Sequence, residues 1–310
     1  MSLSFADLSR PALARILESD ARAQAALRAV YGRPFGPLPE AVPGVARARW
    51  TALRARHPMP EARVVACRRA SDGTKKLLVD LGDVQVETVV IPGPNRSTVC
   101  VSSQAGCTRS CRFCATARLP FARNLSAGEI VAQYLLARER APADRPPRNV
   151  VFMGMGEPLD NLEQVLGAVE VLCTDPGPAL APRHVTVSTS GVLPHLETFL
   201  RRSRANLALS VNATTPEQRR ALMPHDRSWP LEALLAVCRA HLGSRLLFVE
   251  YVLLRGVNDS AADARRLANA LEGLRCRVNL IPYNPASAAP YERPTAAEVR
   301  AFKEVLVAAG

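Results

Sequence analysis

Three closely spaced cysteines are the residues of this chain best suited to redox chemistry. Cys107, Cys111 and Cys114 form the pattern C-x3-C-x2-C. A [4Fe–4S] cluster contains four irons, and each iron normally takes one thiolate. Three thiolates from one loop would hold three irons and leave the fourth open to a small-molecule ligand. The spacing therefore predicts a cluster that passes an electron to a bound sulfonium and generates a radical.

A zinc site is the main alternative for these cysteines. Structural zinc asks for four ligands, usually as two separated pairs. Cys100 could be the fourth ligand, although it precedes Cys107 by seven residues within a strand-like segment. Disulfides are disfavoured, because the sequence shows no signal-peptide pattern and no apolar stretch that could span a bilayer. We therefore expect a cytoplasmic protein with reduced thiols, and ligand counting favours the cluster over zinc.

The basic composition predicts a polyanionic partner. The 310 residues carry a formal charge of +12, and all but three of the 40 basic side chains are arginine. Arginine binds phosphate through paired hydrogen bonds and stacks on bases, which favours a nucleic acid. The alternative is that the arginines are ordinary solvated surface residues of an alanine- and arginine-rich chain. The arginines that flank the cysteine loop are candidates for phosphate contacts: Arg109, Arg112, Arg118 and Arg123.

Two kinds of segment precede the cysteine loop. Residues 1–60 are predicted to form short helices interrupted by prolines, and to make a small N-terminal helical accessory domain. Residues 61–97 are rich in β-forming side chains and contain turn sequences at 71–74 and 81–83. This pattern predicts a short antiparallel β extension.

Strand-like and helix-like segments alternate in residues 98–310. Six βα units predict an α/β fold with a mostly parallel sheet, a partial (βα)6 barrel. Such a barrel places its chemistry at the C-terminal ends of the strands, and the cysteine loop follows the first of them. The strands are predicted at 98–103, 148–153, 184–189, 206–211, 246–254 and 277–281. The helices are predicted near 126–140, 161–172, 193–202, 215–222, 230–242, 260–272 and 295–309.

Motifs spread over residues 71–290 resemble the RlmN/Cfr family of radical-SAM RNA methyltransferases. The cysteine loop alone indicates only radical-SAM chemistry. The flanking Cys100-Val-Ser-Ser-Gln104 and Gly154-Met-Gly-Glu-Pro158 make the resemblance specific to that family. Further matching segments follow in the family's order: 71–75, 87–92, 121–125, 188–191, 209–213, 222–224 and 279–285.

The resemblance implies a barrel of the radical-SAM type and two cofactors. Cys107, Cys111 and Cys114 would bind the [4Fe–4S] cluster, and S-adenosyl-L-methionine (SAM) would complete it. Six residues at the C-terminal ends of predicted strands would line the SAM site: Gly156, Glu157, Ser188, Ser210, Asn212 and Asn284. The residue types support part of this SAM-site assignment. Gly154 and Gly156 would let the backbone approach a ligand closely, and Glu157 can accept hydrogen bonds from an ammonium group. The family often has histidine at the position of Asn212.

Two further residues match the family's catalytic groups. The resemblance implies that Glu87 accepts a proton from the substrate adenine and that Cys100 resolves a covalent protein–RNA adduct by thiol attack. The residues alone would favour an exposed strand carboxylate for Glu87. They would also favour a small buried strand residue for Cys100.

The resemblance also defines the expected function. It implies methylation of an adenine ring carbon, C2 or C8, in 23S rRNA or tRNA, by a monomer that takes electrons from an external donor such as flavodoxin. The family's methyl-carrying cysteine follows the last helix, and residues 305–310 contain none. We therefore expect the sequence to stop before that cysteine. The alternatives are a divergent radical-SAM enzyme with different chemistry and a non-catalytic Fe–S protein that binds RNA.

Overall fold

The computed structural model describes residues 3–224, 229–285 and 290–309. The chain divides into two compact units, which are described separately. The first unit comprises Met1–Ala105, Ala122–Thr186 and Ser203–Ala205. The second comprises Gly106–Phe121, Val187–Arg202 and Asn206–Gly310. Within the described residues, no helix has both the length and the apolar character needed to cross a membrane.

Three helices near the N-terminus confirm the expectation of short helical segments. They are α1 (Arg10–Ile16), α2 (Asp20–Tyr31) and α3 (Arg47–Arg56). The rings of Phe5 and Trp50 meet edge to face with centroids 6.1 Å apart, and both side chains are fully buried. The Trp50 indole N–H donates to the Pro39 carbonyl at 2.8 Å. Trp50 therefore packs the segment that follows the prolines against Phe5, and its indole N–H has a hydrogen-bond partner within the protein.

An antiparallel meander forms the β extension of the first unit, as predicted. Its strands are β1 (Arg63–Arg69), β2 (Lys75–Asp80), β3 (Gln85–Pro92) and β4 (Ser97–Cys100), paired in that order. Alternate side chains of β2 and β3 are buried, because successive strand residues point to opposite faces. The buried set is Leu77, Val79, Val86, Thr88 and Val90. The other face carries Glu87.

The first unit continues into further strands and helices. It contains β5 (Gln104–Ala105), β6 (Arg123–Asn124), α4 (Ala127–Arg138), β7 (Pro147–Phe152) and α5 (Leu162–Cys173). Strands β5 and β6 pair antiparallel as a separate sheet, and strand β7 pairs parallel to β4, with Cys100 opposite Val151. Helix α4 begins at a capping box in which Ser126 and Glu129 satisfy each other's backbone N–H groups. Strand β8 (Val185–Thr189) has residues in both units.

The second unit repeats the strand–helix alternation. Its elements are α6 (Leu193–Arg202), β9 (Asn206–Ser210), α7 (Pro216–Leu222), α8 (Leu231–His241), β10 (Leu247–Leu253), α9 (Ala261–Leu271), β11 (Cys276–Pro282) and α10 (Ala296–Ala308). Strand β10 lies parallel between β9 and β11. Every barrel strand and helix expected from the sequence is present, so the α/β prediction is confirmed.

Candidate active site

The three cysteines of the C-x3-C-x2-C pattern lie on one loop of the second unit, and each is partly buried. Backbone hydrogen bonds fix the loop. The Cys114 N–H donates to the Cys111 carbonyl at 3.0 Å, and the Arg112 N–H donates to the Leu222 carbonyl at the end of α7 at 2.9 Å. Cys111 and Phe113 also pack against a buried apolar cluster: Ala213, Leu222, Met223, Leu254 and Tyr283.

The chemistry of this loop fits an iron–sulfur cluster. Three sulfur ligands from one loop leave one iron of a cube for an outside ligand. The Arg109 backbone N–H donates to Cys107 Sγ at 3.3 Å, and hydrogen bonds to the sulfurs help to set the reduction potential of such clusters. Among the described residues, no three His, Cys, Asp or Glu side chains are grouped to hold a single metal ion. Cys107, Cys111 and Cys114 supply thiolates of the kind that a [4Fe–4S] cluster needs, and their binding of one stays a prediction.

Ser188 and Ser210 lie at the C-terminal ends of β8 and β9, with their hydroxyl oxygens 3.4 Å apart. Both therefore occupy the strand ends where the sequence placed them. Sequence reasoning missed the group that fixes the loops after these strands. The guanidinium of Arg219 on α7 is buried and donates to the carbonyls of Val211 and Ser190. A buried arginine of this kind was not distinguishable from the other arginines of the chain.

Asn212 is held by the protein around it. Its backbone has φ = 55°, a conformation that asparagine tolerates better than most residues. Its side-chain oxygen accepts the Val252 N–H at 2.9 Å, and its amide nitrogen lies 3.6 Å from Met223 Sδ. The Asn258 amide donates to the Asn212 carbonyl at 2.6 Å. Asn212 therefore ties the end of β9 to β10, and its contact with SAM stays a prediction.

A buried carboxylate, Glu250, was also missed. It lies on β10, directly between Ser210 of β9 and Asn279 of β11 in the sheet register. The Asn279 amide donates to Glu250 Oε2 at 2.7 Å. Burial raises the pKa of Glu250, and the Asn279 hydrogen bond partly offsets that rise. Asn284, the remaining predicted SAM residue of this unit, is exposed beyond the end of β11.

In the first unit, the Gly154-Met-Gly-Glu157 loop packs against the chain's own segment 101–104. A Cβ on Gly154 would lie 2.7 Å from Ser102 Oγ, and one on Gly156 would lie 2.6 Å from Gln104 Cβ. Gly156 also has φ = 105°, which disfavours any side chain. Segment 101–104 therefore occupies the space that a side chain at either glycine would need. A SAM contact at Gly156 stays a prediction.

Glu157 is buried at the end of the same loop, with 3% of its surface exposed. Its backbone N–H donates to Gln104 Oε1 at 2.9 Å, and its carboxylate accepts the Leu159 N–H at 3.0 Å. These bonds orient the carboxylate through the backbone on either side. The arrangement is compatible with the role predicted for Glu157, which stays a prediction.

Glu87 lies on β3, and its side chain is about half exposed. The Lys76 ammonium pairs with the Glu87 carboxylate at 2.7 Å. The backbone of Glu87 is tied to the glycine loop and its partner segment, because its N–H donates to Met155 Sδ at 3.4 Å and its carbonyl accepts the Ser102 hydroxyl at 2.6 Å. The sheet therefore presents the carboxylate outward on a backbone that is firmly held.

Cys100 lies on the same face of the sheet as Glu87. It is paired with Val89 of β3, and Val89 is two residues after Glu87. Only 9% of its surface is exposed. Burial raises the pKa of the Cys100 thiol to about 11, and the negative charge of Glu87 adds to the rise. The two residues expected to act on the substrate are thus brought together on one face of the first unit.

One expected phosphate contact is wrong. The guanidinium of Arg123 donates to both Asp83 and Glu129, at 2.5 and 2.8 Å, and its side chain is only 18% exposed. These two carboxylates raise its pKa. Arg123 fastens the turn before β3 to the start of α4, so its charge is already neutralised inside the protein.

Comparisons with known proteins match this architecture. The model of the Radical SAM superfamily matches residues 101–268. A probable RNA methyltransferase of Sorangium cellulosum is 44% identical, and the match covers 96% of this chain and 79% of that relative. The dual-specificity RNA methyltransferase RlmN of Methylocella silvestris is 39% identical, over 91% of this chain and 76% of the relative. A crystal structure of a radical SAM methyltransferase from Sphaerobacter thermophilus has a TM-score of 0.89 and 37% identity, and covers 99% of this chain and 93% of that one.

Proposed function

Because the chain belongs to the radical SAM superfamily and, within it, to the RlmN-type RNA methyltransferases, we propose that it methylates a ring carbon, C2 or C8, of an adenine in RNA. The proposed substrates are 23S rRNA and tRNA. The observation that carries the proposal is the placement of the half-exposed Glu87 and the buried Cys100 on the same face of the sheet. Both residues serve adenine methylation specifically, and generating a radical requires neither.

Cys107, Cys111 and Cys114 would hold the [4Fe–4S] cluster, and Gly156, Glu157, Ser188, Ser210, Asn212 and Asn284 would contact SAM. When bound, the two cofactors supply a one-electron cleavage of a sulfonium and a methyl group. The electrons would come from an external donor such as flavodoxin. Residues 1–60 would form an accessory RNA-binding domain, residues 61–97 the β extension that carries Glu87, and residues 98–310 the barrel.

The chain's own residues would handle the proton and the adduct. Replacing hydrogen by methyl on an adenine carbon leaves one proton to remove, and the Glu87 carboxylate would accept it. In the free protein the Lys76 ammonium pairs with that carboxylate at 2.7 Å. Cys100 would attack the sulfur atom that joins the RNA to the protein, so that a disulfide forms as the sulfur–carbon bond breaks. The released carbon would take up a proton and leave as the methyl group of the modified RNA.

The test uses protein expressed from the complete reading frame and reconstituted anaerobically. It should bind about four irons, as a cube requires, and convert adenine to methyladenine in 23S rRNA or tRNA, as read by nucleoside mass spectrometry. Cys111→Ala should lose the iron and the activity, whereas Cys67→Ala, at an exposed position of β1, should keep both. Cys100→Ala should trap an RNA adduct that survives denaturing electrophoresis. SAM cleavage without any methyladenine would instead support a radical-SAM enzyme of different chemistry.

A further inference from the structure

One side of the meander, here called the Glu87 face, carries other side chains besides Glu87 and Cys100. The ladder registers place one set of side chains on it: Arg63, Ala66, Arg68, Lys76, Leu78, Asp80, Gln85, Glu87, Val89, Ile91, Thr98 and Cys100. The ion pair between Lys76 and Glu87 confirms that β2 and β3 share this face. The face therefore combines three cations, two carboxylates and a strip of aliphatic side chains, and Arg63 with Asp80 forms the end of the face remote from Arg68.

Arg68 and Lys76 are directly opposite each other in the β1–β2 ladder. Like charges in this position destabilise a sheet. At the far end of the same ladder, Arg63 instead faces Asp80 and pairs with it at 2.8 Å. The Arg68–Lys76 pair thus departs from the favourable pattern of its own ladder. The single Glu87 carboxylate beside Lys76 offsets only one of the two positive charges, and a bound anion would offset the other.

The neighbouring basic pair, Arg69 and Lys75, lies on the other face of the sheet. Arg69 is opposite Lys75, and successive strand residues point to opposite sides. Lys75 Nζ donates to the Arg140 carbonyl at 2.7 Å, so its charge is engaged near the end of α4. Arg68 and Arg69 are therefore two adjacent, exposed arginines of β1 that lie on opposite faces of the sheet.

We propose that Arg68 and Lys76 form a seat for a backbone phosphate of the RNA, next to the adenine that Glu87 serves. This inference rests on the proposed function and names the surface that docks the substrate. The Lys76–Glu87 pair is about half exposed on both sides, and such pairs contribute little stability. Lys76 can therefore turn from the carboxylate to a phosphate at small cost.

The aliphatic strip suits the rest of a nucleotide. Leu78 and Val89 are partly exposed and Ile91 is 41% exposed, all beside Glu87 on the same face. Bases bind to proteins through their flat faces, while arginine and lysine hold the phosphates and fix the register. A base lying on the strip with its phosphate on Arg68 and Lys76 would bring an adenine edge to Glu87.

The test measures binding and leaves chemistry aside. The affinity of the reconstituted protein for a 23S rRNA fragment is measured by fluorescence anisotropy at several salt concentrations, for wild type, Arg68→Gln, Lys76→Gln and Arg69→Gln. The slope of log affinity against log salt should fall by about 0.7–0.9 for each phosphate contact removed. Arg68→Gln and Lys76→Gln should each show that fall, and Arg69→Gln should match wild type.

Failure of this inference differs from failure of the proposed function. If wild type methylates RNA while all three variants keep its salt slope, the phosphate seat is refuted and the function stands. The seat is likewise refuted if Arg69→Gln lowers the slope as much as Arg68→Gln, since the effect would then be general surface charge. If wild type neither binds nor methylates the RNA, the proposed function itself fails.

Discussion

The side-chain hydroxyl of Ser102 donates a 2.6 Å hydrogen bond to the carbonyl oxygen of Glu87. The same hydroxyl accepts the Met155 N–H at 2.9 Å. The backbone of Ser102 is in turn held by the buried amide of Gln133 on α4, which bonds both its N–H and its carbonyl. One serine therefore joins the strand that presents Glu87 to the loop that precedes Glu157.

Replacing this serine should destabilise the protein. Ser102→Ala leaves the Glu87 carbonyl and the Met155 N–H without that partner, and a buried polar group left unsatisfied costs about 1–3 kcal/mol. We expect the free energy of unfolding to fall by about 2 kcal/mol, measured by urea denaturation. Ser71→Ala is the control for losing one hydroxyl, because Ser71 is exposed in the turn before β2 and water can solvate the groups around it. Equal losses for the two variants would show that the shared hydroxyl is not what holds β3 to the loop.

A methyl group at Gly156 should be more costly than one at an open glycine. Gly156→Ala requires an alanine at φ = 105° with its Cβ 2.6 Å from Gln104 Cβ. Strained backbone of this kind costs about 1–3 kcal/mol before the collision is added. Gly36→Ala places its Cβ in open space and should be close to neutral. Thermal unfolding of both variants checks the difference, and an unchanged melting temperature for Gly156→Ala would contradict the described packing.

Periodicity and motif spacing located the barrel elements and the residues at their ends. The alternation of apolar strands with amphipathic segments depends on local chain geometry, which short windows of sequence record. Short helices were expected in residues 1–60, but the bounds of α3 could not be placed, because its apolar content is confined to Trp50 and Leu53 among many arginines. Its position depends on burying that tryptophan against distant helices, which no short window shows.

The polar partners in the site could not be read from the sequence. Asn212, Glu250 and Arg219 owe their environments to neighbouring strands and helices that lie far away in the chain. Composition likewise could not separate Arg123, which is neutralised by two carboxylates, from Arg68, which lies on an open face. Ladder register makes that distinction, and register is set by the pairing of whole strands.

The cysteines should differ strongly in reactivity. Cys67 is exposed on β1, whereas Cys238 is fully buried on α8, where burial raises the pKa of its thiol to about 12. Because the thiolate is the reactive form, only about one Cys238 in ten thousand would be reactive at pH 8. Brief iodoacetamide treatment of the native protein should label Cys67 and spare Cys238, as read by peptide mass spectrometry. Labelling both at one rate would contradict the burial of α8.

Glu250 should make the stability of the protein depend on pH. Its pKa is raised in the folded state by burial, so the folded protein holds a proton that the unfolded chain releases. Stability from this group is then fully present below its unfolded pKa of about 4.5 and is lost as pH rises through the folded pKa. Glu250→Gln keeps an oxygen for the Asn279 amide and has no proton to lose.

The variant Glu250→Gln should therefore melt at a higher temperature than wild type at pH 7.5, and the difference should shrink towards pH 4. Asn279→Ala should steepen the loss of stability with rising pH, because the Asn279 hydrogen bond favours the charged carboxylate. Glu304→Gln, at an exposed position of α10, controls for the general loss of one negative charge. Thermal unfolding from pH 4 to 8 reads out all four proteins. Parallel curves for wild type and Glu250→Gln would mean that the carboxylate is solvated in solution, which would contradict the burial of Glu250 between Ser210 and Asn279.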